Sequence, residues 1–442
     1  MDAIDPSKLD RDIARAARAE RRWWRTLRSD ADRAADDAWY EPVRYVTTRT
    51  TVLEVSALPE SDPLREPFLR WVHRLALTRI AGRAIVDAAR ARQKASLELE
   101  IPERGTFSPR ELVRRALAER EAARTRGWLD AFGEAGSAVL GAEKISREAT
   151  IEITSRLGVG EPSSLAVFDR AALSAEGERL LAKTSDLASS LLGPREDLAG
   201  LMGELVARDV PGVWPRAPDA RWLSEQFHGT ALLEGLTLDL GPTPPPLGAS
   251  SFMRGLSRFG AAYARAAVLG GGPFVLLGDP SDTHPMRRGA LFASLLLDPH
   301  FLRKKLGLSR EAAAKTVRAL GATVLARARI DAALTLVDVA RASPSEIEEV
   351  ASEALRVRVP RALGGVLPRP DTRAPSRLAG MLLALGDRDE LTSRFDEDWF
   401  LNPRAFLFLR ESDASRRSPR LPKEALDRTG DRFGQNLEAL AG

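Results

Sequence analysis

"SREAAAKTVRALGATVLARARIDAALTLVDVA", residues 309–340, decides the fold class. Ser309 stands where a helix N-cap belongs, Glu311 follows in the first turn, and the segment runs on as the longest helix the sequence supports. The same punctuation recurs. In "ASPSEIEEV" Ser343 is the cap, Pro344 follows and Glu346 takes N3, so hydroxyl and carboxylate satisfy orphan amides reciprocally. In "TFSPRELVRRALAEREAARTRGWLDAF" Ser108, Pro109 and Glu111 repeat it, with Phe107 and Leu112 placed as a hydrophobic staple. Asp298-Pro299 reads as another helix start.

Working outward, residues 6–38 are rich in Ala, Arg, Asp and Glu, and Ile13, Ala17, Trp24 and Leu27 recur at helical intervals; residues 62–96 return to helix. The expected fold is mainly α: a large multi-helix body, one elongated unit or two lobes, with at most a small β element near residues 43–57. There "VRYVTTRTTVLEVSAL" is crowded with β-branched side chains, although a buried helix could carry the same run.

Breakers suggest three regions. "LDLGPTPPPLGAS", residues 238–250, holds four prolines and cannot continue a helix, because each ring removes an amide donor and clashes with the preceding turn. The expected organisation is an N-terminal helical region over 1–160, a central one over 161–240 and a C-terminal one over 241–442 after this loop. "VLGGGPFVLLGDPSDTHPMRRG" and "VLPRPDTRAPS" are further irregular stretches, and no internal repeat is apparent.

At 442 residues, 44% hydrophobic and 29% charged, the chain has the composition of a soluble globular protein. It contains no cysteine, which removes disulfides, thiolate metal sites and a thiol nucleophile and points to the cytoplasm. The N-terminus lacks the apolar stretch of a secretory signal, and the apolar runs fall short of the roughly 20 residues of a membrane span. The 66 basic and 62 acidic side chains are interleaved and leave a net charge of +4. Only eight of the basic residues are Lys, a bias that reflects a GC-rich genome better than phosphate recognition.

Chemistry-bearing residues are few. "SEQFHGTALLEG", residues 224–235, places Glu225, His228 and Glu234 in one short span, but Glu-x-x-His occurs here once, whereas a carboxylate-bridged di-iron bundle needs it twice with two further Glu. Asp279, Asp282, His284, Asp298 and His300 supply enough N and O atoms for zinc or a hydrolytic dyad; against that, "GDPSDTHP" is turn chemistry. His73, beside Phe68, Trp71, Val72 and Leu75, is expected to flank a packed helix. "RRWWR", residues 21–25, could stack Trp23 and Trp24 on nucleobases, but on an amphipathic helix the pentad reads as one buried indole, one at the rim, and arginines in water. Phosphate-loop, nucleophile-elbow and EF-hand patterns are absent from the sequence.

Two stretches carry a family likeness. "RGALFASLLLDPHFLRKKLGLSREAAAKTVRALGATVLARARIDAAL", residues 288–334, and "RFDEDWFLNPRAFLFLRE", residues 394–411, resemble the C-terminal helical portion of thimet/oligoendopeptidase-type zinc peptidases. The resemblance implies a helical body with a deep channel. It would also imply a zinc site on H-E-x-x-H, two histidines one helical turn apart with a Glu base between them. This sequence has no H-E-x-x-H: Gly229 follows His228, and the proline-rich span 241–246 precedes "SSFMRGLSRFGAAYARA". No catalytic, cofactor-binding or metal-ligating residue is carried over.

The sequence therefore favours a non-catalytic binding or scaffold protein for a protein or peptide partner, without cofactor, possessing a peptidase-like shell. Its rivals are a metal-dependent hydrolase assembled from Asp279, Asp282, His284 and His300 or from Glu225, His228 and Glu234, and a nucleic-acid binder using "RRWWR" and the Arg-rich tail.

Overall fold

The computed structural model describes residues 5–97, 99–101, 105–107, 141–142, 144–146, 148–153, 155–157, 167–192, 201, 205, 222, 225–227, 231–233, 235–240, 248–267, 272–337, 342–359, 373–415, 421 and 423–441. The fold is mainly α. In chain order its helices are α1 (Pro6–Ser29), α2 (Ala31–Ala35), α3 (Arg49–Ser56), α4 (Arg65–Ile80), α5 (Gly82–Leu97), α6 (Arg170–Lys183) and α7 (Ser185–Leu192). There follow α8 (Ala249–Ala267), α9 (Phe274–Leu277), α10 (Thr283–Ser294), α11 (Pro299–Leu306), α12 (Arg310–Leu336), α13 (Pro344–Leu355), α14 (Ala374–Phe395), α15 (Pro403–Ser415) and α16 (Thr429–Ala441).

Local chemistry sets several of these boundaries. Ser309 accepts from the Ala312 amide at 3.1 Å, and Asp298 accepts from His300 at 2.8 Å with Pro299 opening α11. Ser343 and Glu346 form the reciprocal box, at 3.2 and 2.6 Å. The segment 108–131, with its own capping box, lies outside the described residues.

Residues 43–57 are not a strand. A 3-10 helix runs over Glu41–Thr47, Thr48 caps α3 by accepting from the Thr51 amide, and Val52 and Val55 turn one buried face toward α4. The cap and the three-residue spacing of buried side chains override β propensity. Among the described residues the β structure lies elsewhere, in a two-stranded antiparallel ladder of β1 (Leu99–Ile101) and β2 (Gly105–Phe107), pairing Leu99 with Phe107 and Ile101 with Gly105.

Three large apolar clusters hold the helices. One gathers α1 to α5 and α9 around Ile13, Trp23, Phe68 and Trp71. A second packs α6, α7, α12, α13, α14 and α16. The third is aromatic, with Phe227 stacked on Phe259 at 5.2 Å and edge-on to Phe292 and Phe406. Both stretches that carry the peptidase likeness feed this third cluster, through Phe292, Phe301 and Val317 on one side and Trp399, Phe400 and Phe406 on the other.

Polar clamps tie helices together within these clusters. Asp10 of α1 accepts from the amides of Phe274 and Val275 at 3.0 and 2.9 Å, capping α9 from the far end of the chain. Arg329 of α12 reaches carbonyls near the C-terminal ends of α6 and α13, Leu181 at 2.8 Å and Ala354 at 2.6 Å, where the helix dipole favours a cation.

α8 and α10 approach through two glycines. A Cβ on Gly260 would lie 2.3 Å from the Arg288 carbonyl oxygen, and one on Gly289 would lie 2.7 Å from that of Ser257. Gly260→Ala is therefore expected to destabilise the fold by about 2 kcal/mol through overpacking, read as a lower urea midpoint. An unchanged midpoint would show that the two backbones separate freely.

Candidate functional site

The described charges concentrate where α10 meets α8, α14 and α15. Arg288, 3% exposed, grips Asp413 of α15 with Nε at 3.1 Å and Nη2 at 2.6 Å, and donates from Nη1 to Asp387 of α14 at 2.8 Å. Arg287 completes Asp387 at 2.8 and 2.5 Å. His284, one turn earlier on α10, places Nε2 3.3 Å from Asp413 Oδ1.

Burial alone would raise the pKa of both carboxylates, but the Arg288 charge outweighs it, so Asp413 and Asp387 sit below the usual carboxylate range. Burial likewise opposes the Arg288 charge, and its two carboxylates reverse that effect. The Tyr263 hydroxyl of α8 is buried, and burial together with the Asp413 charge pushes its ionisation up.

A second group adjoins the first through the turn before α10. Asp279 folds that turn: Oδ1 accepts from the Ser281 amide at 2.8 Å and hydroxyl at 2.6 Å, and Oδ2 from the His284 amide at 2.6 Å. Asp282 follows with φ of +61°, a left-handed conformation that Asp tolerates better than most residues. Its carboxylate meets Arg265 at 3.2 Å, and Arg74 and Arg373 at 3.7 Å each. Burial works against its charge, yet these guanidinium groups depress its pKa strongly. Glu20 of α1, 1% exposed, accepts from Thr78 at 2.6 Å and Arg74 at 3.0 Å, and Arg74 also donates to the Pro280 carbonyl at 2.6 Å.

The residues expected to form a hydrolytic site are thus dispersed into other roles. Asp279 shapes a turn, Asp282 is an arginine counter-ion, and His284 faces Asp413. His300 is half-exposed on α11 with Nε2 3.2 Å from Glu397, a surface pair, and Asp298 caps that helix. His228, Glu234 and the proline-rich span 241–246 lie outside the described residues, while Glu225 is described. Among the described residues no three His, Asp or Glu side chains converge as metal ligands would. His73 does not flank its helix: it is 2% exposed, inside the fold.

"RRWWR" divides along α1. Trp23 is the core indole, 3% exposed and donating to the Ala34 carbonyl at 2.8 Å, while Trp24 packs edge-on against it at 5.0 Å and is half-buried. The pair thus divides into one buried indole, Trp23, and one at the rim, Trp24. Arg25 pairs with Asp239, and Arg21 turns toward the group around Asp282. The sequence missed Arg288, Asp387, Asp413, Glu20, Arg74 and Arg265, and the available hint was a charge embedded in an apolar helical run, as in "MRRGALFASLLL".

Among the described residues no helix is long and apolar enough to cross a membrane. Neither a protein-family profile nor a curated protein matches the chain. Among solved structures it resembles a protein of Bacillus anthracis assigned as an oligoendopeptidase F, at 12% identity and a TM-score of 0.53, over 92% of this chain and 86% of that one. At that identity the likeness is one of fold. This chain therefore shares the helical architecture of that oligoendopeptidase-type protein.

Proposed function

We propose that this protein is a non-catalytic, cytoplasmic binding or scaffold protein that retains a peptidase-like shell and uses it to engage a protein or peptide partner. One observation carries the reading. The buried carboxylates at the junction of α8, α10, α14 and α15 are committed to guanidinium groups: Asp387 serves Arg287 and Arg288, and Asp413 serves Arg288 beside His284. A general base or a metal ligand needs a free lone pair within reach of its target, and an ion-paired, strongly acidic carboxylate is a poor proton acceptor. The full sequence supports this, with four histidines and no H-E-x-x-H.

A cationic face suits a partner. Arg254 and Arg258 of α8 are exposed, and Arg327 of α12 lies near enough to Arg254 to repel its charge. Such a surface favours acidic segments.

The purified protein is expected to contain no stoichiometric zinc by elemental mass spectrometry. It should give no cleavage of internally quenched peptides above blank, before or after zinc is added. Stoichiometric metal, or zinc-dependent turnover abolished by a chelator, would overturn the reading in favour of a metal-dependent hydrolase.

A further inference from the structure

We propose that the depression between α1, α4 and the first turn of α10 is a binding site for one compact oxyanion, the chemistry shared by inorganic phosphate and a carboxylate group, held by Arg21 and Arg265. The cavity, about 20 Å³, is lined by Arg21, Trp71, Arg265, Asp279, Asp282 and His284, among others. That space is little more than the volume of one water, so it seats a single oxygen of the anion. The rest of a larger ligand would project past Arg21 and Arg265, both of which retain some solvent exposure.

Around the cavity stand four guanidinium groups, Arg21, Arg74, Arg265 and Arg373, and three carboxylates, Glu20, Asp279 and Asp282. Asp279 spends both oxygens on the turn at 279–284. Glu20 is taken by Thr78 and Arg74, and Asp282 by Arg265, Arg74 and Arg373. Arg21 is left with no hydrogen bond or ion pair among the described residues, although it is partly buried.

Two further donors on the lining side chains, Trp71 Nε1 and Arg265 Nε, are buried without an acceptor. A buried N–H left without an acceptor is costly, and an unpaired guanidinium near three others is more so. An anion would satisfy all three at once, and the N-terminal end of α10, whose first turn lines the cavity, adds favourable potential. Burial and Arg265 lower the Arg21 pKa to about 10, against the smaller opposing pull of Asp282 and Glu20, neither of which forms an ion pair with it.

The inference does not depend on the absence of catalysis. It is tested by calorimetric titration of the full chain with inorganic phosphate and, separately, with acetate, at constant ionic strength with chloride as the balancing salt. Saturable binding of at least one of the two is expected, weakened about tenfold or more in Arg21→Gln through loss of a charge-assisted contact. The stronger of the two identifies the ligand class.

Arg21→Gln without ligand is expected to be as stable as the wild type or more so, because it removes an unpaired charge. In the unaltered protein, phosphate or acetate should also protect Arg21 from a diketone reagent, read by peptide mass mapping, while chloride should not. The proposal falls if neither anion binds saturably, if binding is unchanged in Arg21→Gln, or if Arg21 is modified equally fast with and without the bound anion.

Discussion

Arg288→Met is expected to lower the stability of the fold by about 3–5 kcal/mol, the range for removing one partner of a buried ion pair. The side chain is 3% exposed, and its two carboxylates, Asp413 and Asp387, are 1% and 6% exposed. Methionine fills much of the volume, so the loss reports stranded charge rather than a cavity. The two acids differ in what remains to them. Asp387 keeps Arg287, whose side chain is 27% exposed, whereas Asp413 keeps His284 at 3.3 Å. Adding Asp413→Asn to Arg288→Met should therefore recover more stability than adding Asp387→Asn, a coupling that a double-mutant cycle isolates.

The pH dependence has a definite sign. Both carboxylates have folded-state pKa values below their unfolded ones, so the stabilisation is complete above the unfolded value, about 3.9, and is lost as pH falls through the folded values. The gap between wild type and Arg288→Met should thus be widest near neutrality and shrink in acid. Urea midpoints across pH measure this, and a loss under about 1 kcal/mol near neutrality would show that the cluster is hydrated enough to tolerate unpaired acids.

How much of this was legible in the sequence follows from the range of the interactions. Helix starts at Ser309, Ser343 and Asp298 involve partners two or three residues away, so the spacing of residue types is enough to find them. The segment 43–57 misleads because β-branched side chains suit a strand, while the Thr48 cap and the packing on α4 select a helix. The buried charges are illegible for a different reason. Arg288 meets Asp387 and Asp413 across 99 and 125 residues, and Arg74 meets Glu20 across 54, so no local spacing records them. His284 and Asp279 look like a metal-binding pair in sequence because their turn brings them close, yet the contact is Asp279 Oδ2 accepting from the His284 amide.

His73 supplies the other large effect, and it acts in a different pH range. The ring lies on α4, 2% exposed, and its buried Nε2 has no hydrogen-bond partner. Burial lowers its pKa from 6.5 to about 4. Between those values the unfolded chain takes up a proton that the folded chain refuses, so folding stability falls as pH decreases, by about 3 kcal/mol over the whole interval at 1.36 kcal/mol per unit. His73→Leu removes the titrating group, and the variant's stability should be nearly independent of this proton. Wild type and variant should be close near pH 7.5, with the variant equal or slightly more stable once the unsatisfied nitrogen is gone, and they should diverge in the variant's favour toward about pH 5. That window lies above the region where Asp413 and Asp387 lose their contribution, so the two linkages separate. If the difference between the two proteins stays constant from about pH 7 to about pH 5, His73 takes up its proton in the folded state as readily as in the unfolded chain, and a water or a local opening must reach its Nε2.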